Sequence, residues 1–190
     1  MRIVTFDIET YGDMSKAWKP EDLELTILCA HDSETDSYSS YFKEDLPRFW
    51  KILEHTDMLV GYNSDHFDIP VLNKYYPGDL TKIRSLDLLK EIAASLGRRV
   101  RLDSVAEGTL GTKKSGSGLQ AIQWWKEGNL KKLEEYCLKD VEITKKVFDY
   151  ALANQSLKFK ELGLKKEVKI DTSKWLSPVS AASLTKTLGF

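Results

Sequence analysis

Residues 2–8 alternate between faces and are rich in β-branched and aromatic types, which predicts a buried first strand. Residues 24–31 and 37–42 predict two more strands. The turn-like run Asp32-Ser33-Glu34-Thr35-Asp36 separates them, as in an antiparallel hairpin or meander. Apolar positions then change period. Leu46, Phe49, Trp50 and Leu53 recur at helical spacing within 44–55, and 58–62 reads as a short apolar strand. Helices are predicted over 65–76, with Phe67, Val71, Leu72 and Tyr75 on one side, over 86–96, stopped by Gly97, over 102–109 and over 119–126. A long helix from Leu130 to about Asn154 follows, capped by Asn129. Residues 113–118 read as a loop and 165–170 as a late strand. Strands, a helix, a strand and then helices indicate an α/β domain with a mixed sheet. The domain is expected to span 1–160, with 161–190 an extension of unknown role.

The chain has 190 residues, is 42% hydrophobic and 30% charged, and so fits one globular domain with a substantial core. The opening is too short and too acidic for a signal peptide, and no apolar run reaches a membrane span. These features predict a cytoplasmic protein with no membrane partner. Cys29 and Cys137 lie far apart in sequence without a CxxC or Cys/His cluster, and read as free thiols in a reducing compartment. The net charge is −1. A polyanion would therefore have to be held by local basic patches or by bound cations rather than by overall charge.

The acids carry the chemistry. Asp7 and Glu9 share one face of the first strand while Ile8 points into the core. Two like charges at the end of a buried strand repel, and divalent cations make such a pair tolerable. Asp68 lies one turn into a helix after the strand ending at Asn63, with Asp65 expected as the helix cap. Tyr136 and Asp140 are four apart on the long helix and share a face, Asp140 bordering the buried side. Each motif alone is weak. Together they offer four carboxylates beside apolar segments, a donor set for hard cations such as Mg²⁺ or Mn²⁺. Two such ions suit in-line displacement at phosphorus, so phosphodiester hydrolysis is the chemistry indicated.

In this order the segments resemble the DEDDy 3'→5' exonucleases, and especially the proofreading exonuclease domain of family B DNA polymerases and related stand-alone prokaryotic exonucleases. The DxE motif is matched by Asp7-Ile8-Glu9, the second motif by Asn63, Phe67 and Asp68, and the YxxxD motif by Tyr136 and Asp140. The run from Gly61 to Leu72 and the stretch Leu102–Ala106 with Leu110, Gly111 and Lys113 add to the likeness, which covers about residues 1–153. The resemblance implies a ribonuclease-H-like fold and two divalent cations held by Asp7, Glu9, Asp68 and Asp140. It implies that Tyr136 helps to place the attacking water, and that Thr10, Tyr11, Asn63, Phe67 and Lys113 touch the substrate. That substrate is expected to be single-stranded nucleic acid with a free 3' end, with DNA favoured. An exoribonuclease of the same fold, or a binding module without activity, remains the alternative.

Arg98, Arg99 and Arg101 form one basic cluster and Lys113 with Lys114 a second, either able to steer a phosphate backbone. The glycine-containing stretch from Gly108 to Ser115 fails the spacing of a triphosphate-binding loop. Trp124 and Trp125 read as packing residues.

Overall fold

The computed structural model describes residues 1–12, 19–112 and 116–177. A five-stranded mixed sheet runs in the order β3-β2-β1-β4-β5. Its strands are β1 (Ile3–Tyr11), β2 (Glu24–Asp32), β3 (Ser37–Tyr41), β4 (Met58–Gly61) and β5 (Ser85–Asp87). The meander β1-β2-β3 is antiparallel, and β4 and β5 are parallel to β1.

Period-two alternation in β1 splits the core. Val4, Phe6 and Ile8 pack with α1 (Leu46–Leu53) and α2 (Asp68–Asn73) on one face. The other face carries α6 (Leu130–Asn154), joined by α3 (Leu88–Leu96), α4 (Leu102–Leu110) and α5 (Gly118–Lys126). On β2 the phase slips. Leu25, Leu28 and Ala30 face α1 and α2, while Ile27 and Cys29 face α6. The slip is a β-bulge: Glu9 pairs with Ile27 but Thr10 pairs with Leu25, leaving Thr26 as the extra residue.

The capping of α6 by Asn129 holds, its side chain accepting from the Lys132 amide at 3.4 Å. The 65–76 helix does not. The chain turns through 63–67 and α2 covers only Asp68–Asn73, which places Pro70 in its first turn, where its missing N–H costs nothing. Asp65 is consequently no cap. Its carboxylate accepts from Ser85 Oγ at 2.5 Å and Lys90 Nζ at 2.6 Å.

Two strands escape the sequence pattern. β5 is three residues long and runs directly into α3. β6 (Ser156–Glu161) forms a hairpin with β7 (Leu164–Lys169), the predicted late strand. The hairpin lies against α4 so closely that a Cβ on Gly108 would sit 2.4 Å from Phe159 Cα. After it, Trp175 stacks on Phe148 of α6, ring centroids 5.6 Å apart, and Arg84 binds the Lys174, Trp175 and Ser177 carbonyls.

Candidate active site

The acids gather at the C-terminal edge of β1 and β4, the edge where open α/β sheets take their ligands. Asp7 and Glu9 extend from β1 toward α6. There Asp140, 3% exposed, meets them, and one carboxylate oxygen from each of the three lies within 4.8 Å of the others. The β2 partner of Asp7 is Cys29. Cys137 of α6 closes the floor, its Sγ 3.6 Å from the Asp7 carbonyl oxygen and 3.9 Å from Asp7 Oδ2. Both cysteines are free and fully buried. Burial first, then Cys29 and the charges of Asp7 and Glu9, push the Cys137 thiol up, so it stays protonated beneath the acids.

Asp68 approaches the same strand from the α2 side. Pairing of β1 with β4 stops at Thr5, so the Ile8 amide N–H instead donates to Asp68 Oδ1 at 3.2 Å. This bond ties Asp68 to the residue between Asp7 and Glu9. Asp68 is 4% exposed, and burial, with the charge of Asp87 adding, pushes its carboxyl up to about 7 although the Ile8 amide opposes this. Asp68 is not one of the three acids whose oxygens lie within 4.8 Å of one another, and as a buried carboxyl group it favours its charged form only when positive charge is brought near. The donor set is all oxygen, in a cluster with a protonated thiol below it, and fits a hard divalent cation.

Tyr136, one turn before Asp140, is 3% exposed and packs edge-on against Trp124 with ring centroids 5.8 Å apart. Asn63 sits in the turn after β4 at φ 67°, a left-handed conformation that asparagine tolerates better than most residues. Phe67 precedes α2 and is partly buried against the α1–α2 core. Thr10 and Tyr11 follow Glu9 on β1, Tyr11 being 40% exposed. Lys113 lies outside the described residues.

Asp87, which sequence reasoning missed, and Arg99, which it read only as part of a basic cluster, organise this edge. Asp87, 3% exposed, caps α3 by accepting from the Leu89 amide at 2.9 Å, and also accepts from the Asn63 amide at 2.8 Å and the Asp65 amide at 3.3 Å. Arg99 donates to the Asn63 side-chain oxygen. Of the arginine cluster, then, Arg99 faces the site, while Arg98 pairs with Glu161 at 2.6 Å and covers Phe159. A cap signal at Asp87, an acid immediately before an apolar helical run, was the one clue in the sequence.

No helix among the described residues is long and apolar enough to cross a membrane. A search of curated proteins gives no significant match. Among solved structures, the family B DNA polymerase of the hyperthermophilic archaeon Pyrobaculum calidifontis is similar, with a TM-score of 0.63 at 22% identity. The alignment covers 80% of this chain and 24% of the polymerase, so the likeness is one of fold to a part of that protein. A sequence model of the RNase_H superfamily matches residues 4–152, and the mixed sheet of order β3-β2-β1-β4-β5 with its flanking helices fits that fold. The chain belongs to the RNase H superfamily, with an α/β ribonuclease-H-like fold.

Proposed function

We infer that the protein is a metal-dependent 3'→5' exonuclease that hydrolyses phosphodiester bonds of single-stranded nucleic acid, with DNA its preferred substrate. Membership of a nuclease-bearing superfamily supports the broad class. One observation carries the finer reading: carboxylates 131 and 133 residues from Asp140 in the sequence meet it within 4.8 Å, with Asp68 bonded to the amide between them.

In this reading Asp7, Glu9, Asp68 and Asp140 hold two divalent cations, Mg²⁺ or Mn²⁺. When bound, such ions stabilise negative charge on the attacking and leaving oxygens of an in-line displacement. The protein's own residues do the rest. Tyr136 is a poor base at neutral pH, but its hydroxyl orients the attacking water by hydrogen bonding, and Trp124 restricts where its ring can sit. Asn63, held through its backbone by Asp87 and through its side-chain oxygen by Arg99, presents its amide N–H groups to acceptor atoms of the strand. Phe67 and Tyr11 offer ring faces to bases without reading sequence. Thr10 and Lys113 complete the substrate contacts, the lysine through the phosphate backbone.

The test is a set of matched DNA and RNA single strands, labelled at the 5' end and blocked or free at the 3' end, incubated with Mg²⁺ or Mn²⁺. A ladder that shortens from a free 3' end, and vanishes with chelator, is the expected result. Binding without cleavage, or cutting of strands blocked at the 3' end, refutes the proposal.

A further inference from the structure

Beyond Glu9 the same face of β1 opens into a cleft that the carboxylate chemistry does not use. Its volume is about 360 Å³, and Tyr11, Leu25, Thr26, Phe42, Trp125 and Leu130 line it together with the charged Glu24, Lys43 and Glu44. The size lies within the range of small-molecule sites, about 300–1,000 Å³. Tyr11 is 40% exposed and Leu130 41%, so two large apolar side chains face solvent together here. Phe42 and Trp125 are partly buried against the α5–α6 core. The tandem tryptophans have separate roles. Trp124 packs on Tyr136, and Trp125 walls the cleft.

The cleft contains an unexplained polar group. Thr26, the extra residue of the bulge, is 2% exposed, and its Oγ1 has no hydrogen-bond partner. A buried hydroxyl without a partner costs stability. Bulges are enriched beside active sites, where they re-aim side chains. Cations border the apolar walls. Lys126 Nζ lies 5.6 Å from the centre of the Tyr11 ring, whereas Lys43 is paired with Glu24 at 3.5 Å. Aromatic walls, a buried hydroxyl without a partner and the Lys126 ammonium beside Tyr11 are complementary to a planar heteroaromatic base carrying a phosphate, which would enter on the Lys126 side, away from the Glu24–Lys43 pair.

We propose that this cleft is a nucleobase-binding slot, in which the base lies against Tyr11 and Trp125, an edge of the base bonds to the Thr26 hydroxyl, and Lys126 meets the adjoining phosphate. The slot rests on the exonuclease reading only for its biological ligand. Tyr11 is two residues past Glu9 on the same face, about 6.6 Å along the strand. The base of a nucleotide next to the cleaved bond therefore reaches the slot. A slot that grips one base by stacking tolerates all four, and suits an enzyme that steps along a strand.

The experiment measures binding of deoxynucleoside 5'-monophosphates to the full chain by calorimetry in chelator, with 2-deoxyribose 5-phosphate as the probe lacking a base. The expected results are base-dependent binding, a loss of about tenfold in Trp125→Ala, as stacking on an aromatic predicts, and a smaller loss in Thr26→Val. Thr26→Val separates ligand from scaffold, because removing a hydroxyl that bonds to nothing leaves the melting temperature unchanged or higher. Affinities in both variants equal to the parent's overturn the slot, as does equal binding of the base-free probe. A change in self-association in Trp125→Ala with no change in nucleotide affinity overturns it too, by making the cleft a contact between copies. Strand cleavage is scored separately. Trimming with no base-dependent binding sinks the slot alone, and base binding with no trimming sinks the exonuclease reading alone.

Discussion

The two ends of β1 carry the same residue type to opposite effect. At its N-terminal end, Arg2 holds Asp32 at 2.6 Å and Glu34 at 2.8 Å, and its amide donates to Asp57 at 2.6 Å. Burial works against the Asp32 charge, but the Arg2 guanidinium and the Glu34 amide outweigh it and hold its carboxyl below the usual range. At the C-terminal end Asp7, Glu9 and Asp140 crowd within 4.8 Å, and burial with a further carboxylate pushes Asp68 up to about 7. The first arrangement stabilises the fold. The second costs stability, and in a superfamily of this kind it is the expected mark of a site that gathers cations. Position in the sheet decides between them. The N-terminal edge is closed by Arg2 and the β2–β3 turn, whereas at the other edge β4 stops short and exposes Ile8 to Asp68.

Replacements at each end should break this contrast in different observables. The largest effect is expected from Asp7→Ala and Asp140→Ala. Each should lower strand trimming about 10³-fold, the order for losing a charge-stabilising group, with an unchanged circular dichroism spectrum. Wild-type rates in either would remove the acids from the mechanism. Next, Asp68→Asn should lower trimming by two orders of magnitude or so while stabilising the metal-free protein. A carboxyl whose folded pKa is raised stabilises only while protonated, and loses that contribution as pH rises through about 7. The gain in melting temperature should therefore grow from pH 4 to 7 and then level. A pH-independent difference would show that burial of charge is not its source.

Smaller effects belong to the scaffold. Gly108→Ala forces a methyl group against the Phe159 backbone and should cost about 1–3 kcal/mol in denaturant titration, with trimming retained below the melting transition. Of similar size, Arg2→Met should cost about 2 kcal/mol near neutral pH, since Asp32 keeps its charge and loses its partner on a partly exposed surface. The Asp32 contribution is present above the ordinary carboxylate pKa and fades as pH falls through its lowered value, so the penalty of the substitution should shrink toward pH 3.

The sequence carried most of the sheet and the acids, because both depend on local period and on the spacing of a few residues. Alternation located β1, and helical spacing put Tyr136 and Asp140 on one face. What it did not carry depends on contacts distant in the chain. β5 is too short to show a period, and β6 is fixed by its close packing on Gly108. The bulge at Thr26 is a matter of register between two strands and leaves no trace in either strand alone. Asp87 has the capping role expected of Asp65. Both stand near helix starts, but only Asp87 has free amides within reach, those of the Asn63 turn and of α3. Arg98 and Arg99 are neighbours that point to different partners, which no spacing rule separates.

The central claim is that the carboxylates at the end of β1 bind divalent cations together, and Mn²⁺ titration of the full chain followed by electron paramagnetic resonance tests it most directly. The account predicts two bound Mn²⁺ in the parent protein, in the presence of a phosphorothioate strand that resists cleavage, and loss of at least one in Asp7→Asn and in Asp140→Asn. Failure of the parent to bind Mn²⁺, or undiminished binding in both variants, would contradict it.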